Sequence, residues 1–349
     1  MIFRDSILLL HDYPILAALA SKARLPIATT VTFFAVVFLA GCGSGKPPID
    51  GWEVASRGHY SAALSDDASH VVIGSIMHGG SLWDIESKER MYNWNHVKKG
   101  FSNLSSVDFS ADGKFAVTSD GSTIVLWNVA DGSPAGFWSA PGKIIDLALS
   151  SDGHFALLGL DNYNAVYFDI KNGGVVRTFF HKGKVTSVDL SDDDRYALTG
   201  SEDHQAIMWD VGTGEPLEVY LHERPVQLVA LSPEGNLAFS FAKYDKALIW
   251  ETKTGDTKFE LPMTTSEKQF GVEYSSAKFS SESSNLLLLG NNRRDVGLWD
   301  YSKKRQKDSW EAQKKDVTQI ASGAAIVDLA FGAGVYFAVT SDGLIQKFK

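Results

Sequence analysis

One pattern recurs through most of this chain and limits what it can become. Short apolar segments end in an aromatic residue, usually followed by an acid or amide: Trp83-Asp84, Trp127-Asn128, Phe168-Asp169, Trp209-Asp210, Trp250-Glu251 and Trp299-Asp300, with Phe348 in the same slot near the C-terminus. Successive aromatics lie 44, 41, 41, 41, 49 and 49 residues apart. A period of this size marks stacked or radially repeated units, each too small to bury its apolar face alone. Within each unit apolar and polar residues alternate with period two, which predicts half-buried strands.

A second signal lies upstream of each aromatic. Strands of the form VDFS-ADG (Val107–Gly113), LALS-SDG (Leu147–Gly153), VDLS-DDD (Val188–Asp194) and VALS-PEG (Val229–Gly235) run into a tight turn. Glycine suits that turn because it tolerates positive φ. A second strand follows, the aromatic-bearing strand is third, and a segment such as Glu215–Leu221 makes a fourth. Four antiparallel strands at this spacing resemble the WD-repeat β-propeller family over residues 51–349. The resemblance implies an all-β, seven-bladed β-propeller of four-stranded antiparallel blades. It is fullest in unit 4 and looser in units 1, 3, 6 and 7. The chain stops just after the third strand of the last unit, so Gly51–Arg57 is the candidate for its fourth. N- and C-terminal strands would then close the ring and leave no open sheet edge.

The beginning of the chain reads differently. Ile27–Leu39 is an apolar run preceded by Lys22 and Arg24 and followed by Ala40 and Gly41. These are the parts of a secretory signal, and the run is short for a membrane-spanning helix. The single cysteine follows at once, in Leu39-Ala40-Gly41-Cys42. This resembles the lipobox of bacterial lipoproteins. It implies removal of residues 1–41 and acylation of Cys42, with residues 43–50 as a flexible Gly/Ser- and Pro-rich tether. In that family Gly43 favours the outer membrane where the organism has one, and the cell membrane otherwise. A lone thiol also excludes an intramolecular disulfide and a CxxC metal knuckle.

One constellation looks catalytic. Unit 4 contains His181, Thr199, Asp203 and Trp209, and a hydroxyl, an imidazole and a carboxylate are the parts of a nucleophilic triad. Unit 5 repeats the set with His222, Ser240, Asp245 and Trp250, again with 28 residues from His to Trp. Repetition points to architecture, and the WD-repeat resemblance implies a structural tetrad at these positions. No catalytic residue is therefore expected. The histidines lack HxH or HxxxH spacing, and Asp192-Asp193-Asp194 lacks the glycine and distal glutamate of a calcium loop, so neither metal nor cofactor is expected. Acids outnumber bases 42 to 33 for a net charge of −9, without a long basic run, which disfavours nucleic acid.

The resemblance also implies that the loops entering each blade, and the turns between second and third strands, gather on one face. Tyr163, His204, Tyr244, Phe270, Arg293 and Arg294 fall there, together with His78. So do the longer insertions 262–274 and 311–324. Aromatics and arginines are enriched at interface hot spots. The expected function is a membrane-anchored, monomeric, non-catalytic interaction scaffold whose partner is another protein of the bacterial cell envelope. The alternative is a lactonase-like propeller hydrolase with a channel-bound divalent cation. Asp161, Asp203, Asp245, Asp295 and Asp342 would be its candidate acids.

Overall fold

The computed structural model describes residues 45–349, except 77, 98, 264–270, 284 and 316–323. The signal segment, Cys42 and Phe270 lie outside the described residues. Strands run from β1 (Asp50–Glu53) to β28 (Leu344–Phe348) and form seven four-stranded antiparallel sheets, with no helix among the described residues. Each sheet is one blade of a seven-bladed β-propeller. Blade 1 consists of β2 (His59–Leu64), β3 (His70–Ser75), β4 (Gly79–Asp84) and β5 (Arg90–Trp94). Blade 7 consists of β26 (Ile326–Gly332), β27 (Val335–Thr340), β28 and, from the other end of the chain, β1.

The closing strand is shorter than the sequence suggests. It pairs from Asp50↔Lys347 to Glu53↔Leu344. Beyond it Val54 and Ala55 donate to the Gly343 carbonyl, and the chain turns into blade 1.

The repeated aromatics sit on the third strand, and their ladders share one irregularity. In blades 1–6 pairing to the fourth strand slips just before the aromatic, for example between Met208 and Trp209 or between Leu298 and Trp299. A bulge adds twist to the strand that carries it. The rings of Trp127, Phe168, Trp209, Trp250, Trp299 and Phe348 are buried, while Trp83 is half-buried. They pack between blades. Trp127 stacks on Trp94 of blade 1 at 5.2 Å, and Trp209 packs on Phe179 of blade 3 at 5.1 Å. Because each ring buries about 150–250 Å², the seams between blades, rather than any single sheet, make the core.

Carboxylates lace the innermost strands together. Asp108 accepts the Leu149 N–H of the next blade (2.8 Å), Asp146 that of Val188 (2.9 Å), Asp189 that of Leu231 (2.7 Å) and Asp328 that of Leu64 (2.7 Å).

The Gly/Pro composition of residues 43–50 suggests a free tether, but from Gly45 onward this segment is held. Lys46 donates its N–H to the Ser309 carbonyl (3.0 Å) and accepts from the Glu311 N–H (2.9 Å), and Ile49 donates to Lys347 (2.8 Å). The reason is an available edge. The outer strand of blade 6, β25 (Arg305–Glu311), has unpaired backbone groups that this segment satisfies in parallel pairing.

Candidate interaction face

Antiparallel ladders send the turns between second and third strands to the same end of the disc as the loops entering each blade. This end is the loop face. In blades 1, 2 and 7 the left-handed residue of that turn is glycine: Gly79, Gly121 and Gly343. In the four consecutive blades 3–6 it is Tyr163 (φ 72°), His204 (φ 74°), Tyr244 (φ 65°) and Arg294 (φ 75°). A residue with a Cβ pays about 1–2 kcal/mol for this conformation, and such outliers cluster at functional sites. Tyr163 is 51% exposed and Tyr244 56%, with His204 half-buried between them in sequence order of blades. Arg293 is exposed. Arg294 instead turns onto its own blade, donating to the Ala312 carbonyl (2.7 Å) and to Glu311 (2.6 Å). On blades 1 and 2, His78 meets Phe101 edge to face at 5.7 Å, both exposed.

Beneath this face the tetrad residues of blade 4 form a relay. Trp209 Nε1–H donates to Thr199 Oγ1 (2.8 Å), which is 2.7 Å from His181 Nε2, and His181 Nδ1 is 3.0 Å from Asp203. With Asp203 ionised, one neutral arrangement satisfies every member: Thr199 donates to Nε2 and Nδ1–H donates to the carboxylate. Asp203 also accepts the N–H groups of Lys182 (2.8 Å) and Gln205 (3.1 Å), tying the entering loop to the turn that carries His204. Burial alone would raise its pKa, but the bonds from His181 and Lys182 outweigh that and bring it down to about 2. Blade 5 repeats the relay through Trp250, Ser240, His222 and Asp245. There burial pushes the His222 imidazole below its ordinary value.

This geometry does not offer a nucleophile. The Thr199 side chain and the His181 ring are completely buried, and the Thr199 oxygen already accepts from Trp209. Three of the other candidate acids are also engaged. Asp245 holds His222 and the Glu223 N–H, Asp295 accepts from Asn291, and Asp342 accepts from Thr340 and the Lys315 N–H. Among the described residues no group of three or more His, Cys, Asp or Glu side chains could hold a metal ion.

Two features escaped sequence reasoning. Blade 2 has its own relay, in which His96 bonds Thr118 (2.8 Å) and Thr123 (2.9 Å) while Trp127 donates to Thr118 (2.8 Å). The second is the mouth of the channel on the opposite face, a cavity of about 120 Å³ walled by all seven blades. Asp66, Asp108, Asp189, Asp192 and Lys278 line it, and Lys278 pairs with Asp66 at 2.6 Å. Burial raises Asp108 to about 8 and Asp189 to about 6. It would lower Lys278, but Asp66 and then Asp328 and Asp108 outweigh it and hold the ammonium charged. The cue was a carboxylate repeated inside a buried strand, in VDFS, VDLS and IDLALS.

The WD domain, G-beta repeat family matches residues 94–128 and 173–210. The matched segments contain the whole relays of blades 2 and 4. Comparison with curated proteins finds no match.

Proposed function

We propose that this chain is a lipid-anchored WD-repeat propeller that acts as a non-catalytic platform for another protein of the bacterial cell envelope. The observation that carries the reading is the run of Tyr163, His204 and Tyr244, held in the left-handed region on three successive blades where blades 1, 2 and 7 use glycine. A turn that needs only to reverse the chain gains nothing from a tyrosine there; a surface that must present rigid rings to a partner does. The relays of blades 4 and 5 anchor the turns and loops beneath these side chains, which keeps them preorganised. The buried Thr199–His181–Asp203 set supports the non-catalytic part of the reading. Anchoring rests on Cys42 directly after the apolar run, and Gly43 favours the outer membrane where there is one.

The test replaces all three side chains with glycine (Y163G, H204G, Y244G). Relief of left-handed strain at each turn matches or exceeds the added chain entropy of glycine, so the triple variant should be no less stable than wild type. Photo-crosslinking in intact cells from position 162 should give a discrete protein adduct with the wild-type chain, and the triple variant should lose it. An adduct of unchanged yield would refute the face. Equal palmitate labelling of wild-type and Cys42→Ser chains would refute the anchor.

A further inference from the structure

We infer that the outer edge of blade 6 is the surface that meets the membrane, through anionic lipid headgroups. Two independent observations converge on this edge. The first is the docking of the N-terminal segment. Gly45 and Lys46 lie against β25, and a Cβ on Gly45 would stand 2.5 Å from the Trp310 carbonyl carbon, so this close approach needs glycine. Lys46 adds an ion pair to Asp308 at 2.6 Å. The described chain therefore begins on the outer edge of blade 6, against the Ser309–Glu311 end of β25. From Cys42 to Lys46 four residues span at most about 14 Å. An anchor at Cys42, on which this geometry rests, holds that rim close to the bilayer and leaves the loop face free at its side.

The second observation is charge. This acidic chain has one dense cationic stretch, Lys303-Lys304-Arg305-Gln306-Lys307, and it forms the turn and the start of β25 on the same rim. All five side chains are exposed. Lys303 pairs with Asp300 at 3.1 Å, whereas Lys304, Arg305 and Lys307 are in no ion pair among the described residues. Surface charges act within a screening length of about 8–10 Å, so they matter to a membrane only where something holds them near it, and the docked segment does so. Three blades away, the outer strand of blade 3 exposes Val175 and Val176 instead.

The experiment uses the full chain, with a photo-crosslinking side chain at position 306 or, as the comparison, at position 176, in vesicles of phosphatidylcholine containing phosphatidylglycerol. Position 306 should give phosphatidylglycerol adducts in excess over position 176 by on the order of tenfold. The excess should vanish in 1 M salt, where screening acts over about 3 Å, and in the K304Q/R305Q/K307Q chain. Those three side chains are exposed, so unchanged melting serves as the folding control. Gly45→Val, which undocks the segment and lengthens the leash, should reduce the excess. Equal yields at the two positions, an excess indifferent to charge removal, or adducts to protein rather than lipid at position 306 would each overturn the inference. Failure of the acyl anchor reads out separately, as identical lipid mass on wild-type and Cys42→Ser chains, because the 306-to-176 ratio is measured on whatever chain the vesicles hold.

Discussion

Two aspartates of blade 4 show how differently the same side chain is used at the two ends of one sheet. Asp203, under the loop face, accepts from His181 and from the Lys182 and Gln205 N–H groups, and is held down to about 2. Asp189, in the channel wall, accepts from the Leu190 N–H (2.9 Å) and the Leu231 N–H (2.7 Å), yet burial lifts it to about 6. Both bind backbone donors, so hydrogen bonding alone does not separate them. The difference lies in burial and in the third partner. Asp203 has an imidazole that completes its shell and outweighs its burial, whereas at Asp189 deeper burial outweighs both N–H bonds and the attraction of Lys278. In blade 4 the loop-face carboxylate serves rigidity, and the channel-wall carboxylate keeps an ionisation that burial opposes.

Removing Asp203 should have the largest effect. Asp203→Ala strands the buried His181 Nδ1–H and two backbone N–H groups, a loss of about 3 kcal/mol at pH 7. Urea unfolding at unchanged m-value measures it. The sign with pH follows from the depressed value. Stability owed to Asp203 is complete above the unfolded pKa near 4 and is lost as pH falls toward 2, so the gap between wild type and variant should close across that window. A gap below about 1 kcal/mol at pH 7 would mean that the relay is not what holds the entering loop.

Blade 7 sharpens the point because, among the described residues, a single amide ties its entering loop. The amide oxygen of the buried Gln346 accepts from the Gln313 N–H (2.7 Å), and its N–H donates to the Gln313 carbonyl (2.8 Å). Gln346→Ala should cost about 1–2 kcal/mol, less than Asp203→Ala because no ionised group is involved. Its effect should be the same at pH 7 and pH 3, which thermal unfolding at the two pH values checks.

These contrasts also explain what the sequence made legible. Blade number, turn chemistry and ring closure follow from spacing and from glycine, which are local properties. The relays of blades 4 and 5 were legible because His181–Trp209 and His222–Trp250 share one interval. Blade 2 hides its relay: three extra residues separate His96 from Trp127, and Thr123 makes the Nδ1 contact that a carboxylate makes in blades 4 and 5. Gln346 with Gln313, and Lys46 on β25, join segments far apart in the chain, and no periodicity encodes such pairs. The docked tether is the clearest case, since Gly45-Lys46-Pro47-Pro48 has a flexible composition and is held where a sheet edge lies beside it.

The smallest effect tests the channel half of the comparison, and its sign is opposite. Asp189→Asn keeps an acceptor for Leu231 N–H and removes the charge. With the folded pKa raised above the unfolded one, wild-type stability is greatest below the unfolded pKa near 4 and falls as pH rises from there through about 6. The asparagine chain does not titrate there, so it should be the more stable form at pH 7.5, by on the order of 1 kcal/mol after discounting for channel water. It should lose that advantage by pH 4.5. Asp203→Asn, measured in the same series, should be the less stable form at both values. If instead the two asparagine variants move together with pH, the wall and the loop face do not differ in how they treat a carboxylate, and neither the burial of Asp189 nor the imidazole of His181 is what separates them.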